Sequence, residues 1–142
     1  MSSDHREVGL TADAGFEIGV SATVDHPLDE VFAFLISESG SAIWLGAGSR
    51  LGSERGDPYE TTSGTRGEVR SIRPGDRMRV TYQPRGRSAP TTVQVVVRPA
   101  SDPSRTSVRF HQERLDDSGE RSAQREHWKA VLDQLTASLG AY

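Results

Sequence analysis

The sequence predicts an α+β helix-grip fold, a curved antiparallel sheet of about six strands wrapped around a long C-terminal helix, with two short helices after the first strand. Three observations carry this. Residues 16–24, FEIGVSATV, alternate apolar and polar, as a half-buried strand does. From Thr65 to Leu115 several such runs are separated by turn residues. The final segment, about Asp117 to Leu139, sets Trp128, Val131, Leu132, Leu135 and Leu139 on one helical stripe. An antiparallel sheet must cover its apolar face, and only this last helix is long enough to lie along it.

Phe16, Ile18, Val20, Ala22 and Val24 form the inward face of the first strand. DHPLDEVFAFLI then reads as a helix: Pro27 suits its first turn, Asp29 and Glu30 sit at the positive end of the dipole, and Val31, Phe34 and Leu35 recur at helical spacing. Gly40 is expected to end it, with a second short helical piece carrying Ile43 and Trp44. TRGEVRSI, an RPGD turn and RMRVTYQ form a hairpin in which Met78, Val80 and Tyr82 share a face. TTVQVVVR aligns Val93, Val95 and Val97, and RTSVRFHQERL aligns Thr106, Val108, Phe110 and Gln112. The expected organisation is a flexible segment over residues 1–15 and a single domain over 16–142.

At 142 residues the chain holds one core and at most one pocket. It has no cysteine, which removes disulfides, thiolate metal sites and cysteine nucleophiles. The polar start lacks an apolar stretch of signal-peptide length, and no apolar run nears the ~20 residues that span a bilayer. The expectation is therefore a cytoplasmic protein without a membrane span. A net charge of −3 argues against a nucleic-acid binder, whose affinity rests on a basic face. Lys129 is the only lysine, so the positive charge is nearly all arginine, as the codons of a GC-rich genome favour.

The stretch WLGAGSRLG, Trp44 to Gly52, imitates a dinucleotide-binding loop. That motif needs a helix after it to hold the phosphate. Gly56, Pro58 and Gly64 break the chain where that helix would run, and three residues rather than two separate Gly48 from Gly52. The nucleotide reading therefore lacks its context.

No two of His5, His26, His111 and His127 have metal-ligand spacing, so neither a metal site nor a cofactor is expected. His26 is expected to cap the first helix and His111 to point out of the grip. His127 flanks Trp128 at the edge of the stripe. No serine or threonine lies in a nucleophile elbow, and Asp116, Asp117 and Glu38 fall where turns and helix ends put carboxylates in water. Arginines 66, 70, 73, 77, 79, 85 and 87 are read mostly as a charged outer sheet face with Glu68 and Asp76 between them. No catalytic residue is assigned, and the chain is read as a binder in preference to an enzyme.

The segments VDHPLDEVFAFL, Trp44, GEVRSIRPGDRMRVTY, TSVRFHQERL and HWKAVLDQL resemble the START-like superfamily, also called SRPBCC, in the branch similar to the activator of the heat-shock protein 90 ATPase. The resemblance spans about Phe16 to Leu139 and consists of core spacing more than catalytic spelling. It implies a cavity between sheet and helix that members use for lipids, polyketides or other apolar molecules. Some members are cyclases and others work by protein contact.

On that basis the expected ligand-binding residues are Trp44, Met78, Tyr82, Phe110, Gln112, Trp128 and Leu132, with Gln112 as polar anchor and the aromatic groups as walls. The same aromatic groups would equally serve to fill the grip, and Gln112 to satisfy backbone or Tyr82. The expected partner is a hydrophobic small molecule, with the chain a monomer or homodimer. A polyketide cyclase-like enzyme and a co-chaperone-like contact module are the alternatives.

Overall fold

The computed structural model describes residues 10–11 and 15–140. In chain order the elements are β1 (Leu10–Thr11), β2 (Gly15–Val24), α1 (Leu28–Ile36), α2 (Glu38–Trp44), β3 (Pro58–Glu60), β4 (Arg66–Arg73), β5 (Arg77–Tyr82), β6 (Thr91–Pro99), β7 (Thr106–Leu115) and α3 (Ser118–Gly140). The strands form one antiparallel sheet of order β1-β2-β7-β6-β5-β4-β3, so the first long strand pairs with the last. The helix-grip expected from the sequence is the fold observed. β1 and β3 are short edge additions of two and three residues that the alternation did not reveal. β1 lies within the stretch expected to be flexible, and the rest of residues 1–14 lie outside the described residues.

The inner face follows the period of two. Val93, Val95 and Val97 of β6, Thr106, Val108, Phe110 and Gln112 of β7, and Met78, Val80 and Tyr82 of β5 are all buried. α3 covers them with Trp128, Val131, Leu132, Leu135 and Leu139. Asp117 opens α3 by accepting a hydrogen bond from the Glu120 amide at 2.7 Å, as an N-cap carboxylate does.

α1 ends at Ile36, and Ser37 in an extended conformation separates it from α2. Gly40 therefore does not end α1, contrary to the expectation from sequence. It lies inside α2, where a Cβ would sit 1.8 Å from the Phe34 carbonyl oxygen, so close contact between the two helices is what requires glycine there. Ser37 Oγ accepts from the Gly40 amide at 3.1 Å and starts α2. Trp44 Nε1 donates to the Leu35 carbonyl at 2.9 Å and pins the helix pair. Nor does the His26 side chain cap α1. Pro27 is the N-cap with no side-chain cap bond, and His26 Nδ1 lies 3.2 Å from Glu30 Oε2.

The segment from Gly46 to Gly52 folds onto the β3–β4 hairpin. Thr62 donates its amide to the Ala47 carbonyl at 2.8 Å, and Ser49 Oγ donates to Ser41 Oγ at 3.1 Å. No helix comes between it and β3, so the phosphate-binding context is absent among the described residues. One arginine departs from the expected outer face. Arg87 is 10% exposed and clamps the head of α3, with Nε 2.9 Å and Nη2 3.0 Å from the two oxygens of Glu120.

Candidate functional site

The aromatic residues expected to line a cavity meet one another. Phe110 stacks on Trp128 with ring centroids 4.9 Å apart, while Trp44 lies 5.8 Å from Phe110 and Tyr82 5.8 Å from Trp128. Trp44, Phe110 and Trp128 are at most 1% exposed, so their faces are spent on each other. Burial also pushes the Tyr82 phenol above its ordinary pKa, so it stays protonated at neutral pH.

Gln112 is turned inward as its place on β7 requires, and both its amide oxygen and its amide nitrogen are hydrogen-bonded. Oε1 accepts from Trp128 Nε1 at 2.7 Å and from Gln124 Nε2 at 2.9 Å. Nε2 donates to Thr91 Oγ1 at 2.9 Å, and that hydroxyl donates to the Tyr82 carbonyl at 2.6 Å. The network joins β5, β6, β7 and α3 at one end of the grip. The anchor role for a ligand and the structural role rest on the same amide, and each of its hydrogen bonds here goes to the protein.

His127 packs edge-on to Trp128 with centroids 4.8 Å apart, and its Nε2 is buried without a hydrogen-bond partner. Burial lowers its pKa below the ordinary histidine value, because the charged form loses its hydration.

Open concavities flank α1, the outer side of α3, the β3–β4 edge and the outer face of the sheet. Of the two beside α1 the larger, about 490 Å³, lies between α1, residues 51–53 and the β4–β5 turn. Phe32, Ile36, Leu51, Ile72 and Met78 supply its apolar surface, and Asp29 stands at its margin. Ile36 is 42% exposed, the one large hydrophobic side chain so exposed among the described residues. Of the seven expected ligand-binding residues, Met78 lines this cleft and Leu132 lines a separate hollow between β2 and α3. Trp44, Tyr82, Phe110, Gln112 and Trp128 lie in the packed interior.

Sequence reasoning passed over Ile72 for a definable reason. Val69 pairs with Val80 but Ser71 pairs with Arg79, so a bulge adds one residue to β4 and shifts its parity. Ile72 consequently faces Met78 on the inner side, where simple alternation from buried Val69 would have sent it out. Ile36 gave a weaker signal. It falls off the Val31, Phe34, Leu35 stripe, and an isolated surface isoleucine carries no message until a neighbouring wall is known.

No helix among the described residues is long and apolar enough to cross a membrane. By sequence, no curated protein matches the chain. Its fold is similar to MLL2253 from Mesorhizobium loti, with a TM-score of 0.73 at 18% identity over 88% of this chain and 97% of that one. It is likewise similar to an HSP90 activator from Plasmodium falciparum, with a TM-score of 0.73 at 14% identity over 87% of this chain and 96% of that one. The Aha1 dimer from Colwellia psychrerythraea gives 0.71 at 15% identity, covering 87% and 95%. At these identities the likeness establishes the fold alone. The family relation rests on the sequence itself: residues 25–140, well over half of the chain, match the family described as activator of Hsp90 ATPase homolog 1-like protein, and the chain belongs to that family.

Proposed function

We propose that the chain binds a small apolar molecule in the cleft beneath α1. The observation that carries this is the cleft's composition: Phe32, Ile36, Leu51, Ile72 and Met78 converge on a hollow of about 490 Å³ that remains open beside a filled core. That volume falls within the roughly 300–1,000 Å³ of small-ligand pockets. The ligand lies on Met78 as floor, and the stacked Phe110 and Trp128 behind it stiffen the wall without touching it. Trp44, Tyr82 and Gln112 stay in the packed interior and Leu132 lines its separate hollow, so none of them forms this wall. Asp29 offers the single charged group at the rim, which favours a ligand with one polar end. The arrangement contains no acid–base pair aimed into the cleft, so we assign it binding without turnover.

The test is native mass spectrometry against a panel of fatty acids and aromatic polyketides. Ile36→Glu places a charge on the exposed wall and Ala33→Trp fills the hollow; both positions lie on the exposed side of α1 and leave the core untouched. One or more ligands are expected to bind the native chain and to be lost in both variants. Absence of binding across the panel, or binding that survives both substitutions, refutes the reading. A protein-contact role like that of the HSP90 activator is favoured by the family match, and it predicts that Ile36→Glu abolishes a protein complex while no small molecule binds.

A further inference from the structure

The convex face of the sheet carries a group of donor atoms that the apolar cleft does not use. Between the pairs Ile18↔Gln112 and Phe16↔Leu115, β2 contributes only Glu17 whereas β7 contributes both Glu113 and Arg114. This is a bulge in β7, and Arg114 accommodates it at φ 70°, the one non-glycine residue with positive φ among the described residues. The bulge keeps Gln112 and Leu115 both buried while Glu113 turns outward beside Glu17. Two carboxylates thereby face each other across adjacent strands, an arrangement that costs stability unless cations offset it, and among the described residues only Glu113 of the two meets an arginine, Arg79.

His111 lies two residues before Glu113 and so projects on the same face. Its Nε2 is 3.6 Å from Glu17 Oε1, and one donor atom from each of Glu17, His111 and Glu113 falls within 4.8 Å of the others. Gly19, the cross-strand partner of His111, adds no side chain over the ring.

We propose that Glu17, His111 and Glu113 bind a divalent transition-metal ion of the zinc type. One imidazole nitrogen and two carboxylate oxygens form a borderline donor set of the kind zinc accepts, at bonds of roughly 2.0–2.2 Å. Three protein donors leave a fourth position for water. Drawing the three atoms onto one ion asks for side-chain rotation alone, because all three residues are half-buried on ordered strands. Arg79 Nη2 donates to Glu113 Oε1 at 2.7 Å. A carboxylate has about four acceptor sites, so this contact orients Glu113 and still leaves it able to ligate. Arg79 is thus the cation already at the cluster, while Arg109 folds its guanidinium across Gly19, where a Cβ would lie 2.3 Å from its Nη2.

Isothermal titration of the untagged chain with zinc chloride, alongside magnesium chloride, tests the site. The expected result is saturable uptake of one zinc ion, little response to magnesium, and a loss of at least about tenfold in affinity in both Glu17→Gln and His111→Gln. His26→Gln removes the other imidazole–carboxylate pair and is expected to bind as the native chain does. X-ray absorption of the zinc-loaded native chain is expected to show a single imidazole with oxygen donors, a readout that does not depend on any variant folding. No saturable uptake at millimolar zinc overturns the proposal. So does uptake unchanged in His111→Gln, or a metal shell with two or more imidazoles.

Discussion

Replacing Gln112 with leucine tests whether the amide holds the end of the grip together. The substitution keeps the volume close and removes three hydrogen bonds. Trp128 is fully buried, so its indole N–H would be stranded, at about 1–3 kcal/mol. Thr91 keeps its bond to the Tyr82 carbonyl and loses only the bond it accepts, about 0.5–1 kcal/mol. Gln124 is partly exposed and turns to water at little cost. Leucine returns about 1 kcal/mol of apolar burial. The net expectation is a destabilisation of about 1–3 kcal/mol, read by urea unfolding followed by circular dichroism with an unchanged m-value. Trp128→Phe removes the stranded donor, so it should cost at least about 1 kcal/mol less in the Gln112→Leu background than in the native chain. Gln112→Leu within about 0.5 kcal/mol of native stability, or strict additivity of the pair, would refute a structural role for this network.

Two further outcomes rest on close contacts and charge. At Gly67 a Cβ would lie 1.9 Å from the Thr81 carbonyl oxygen and 2.7 Å from Tyr59 Oη, which itself donates to that carbonyl at 2.5 Å. Gly67→Ala is therefore expected to destabilise by more than about 2 kcal/mol, and a melting temperature equal to the native one would contradict this. The Glu120 carboxyl is held below its ordinary value of 4.5, first by its hydrogen bond from Arg87. A depressed carboxyl contributes stability that is present above the unfolded-state pKa and lost as pH falls through the folded-state one. The native chain should thus lose stability on acidification below about pH 5 more steeply than Glu120→Gln, as thermal melts across pH would report; parallel profiles for the two would sink the assignment.

The order of elements and the inward faces were legible in the residues because periodicity is a local property. Side chains alternate along a strand and return every 3.6 residues along a helix, so Val93, Phe110, Gln112 and the Trp128 stripe declared their side without any knowledge of their partners. What those side chains meet was not legible. Whether Trp44, Tyr82, Phe110 and Trp128 enclose space or fill it depends on how closely four separate elements approach, and no local pattern records that distance. The two bulges are the sharpest instance. One added residue in β4 brings Ile72 to the cleft, and one in β7 returns Leu115 to the core, each by reversing the parity on which the sequence reading relied. Arg87 makes the same point in charge: its position on the chain suggested solvent, and only the arrival of α3 places Glu120 close enough to hold it. Local chemistry chose the faces, and the non-local sum of packing and register decided which residues meet across them.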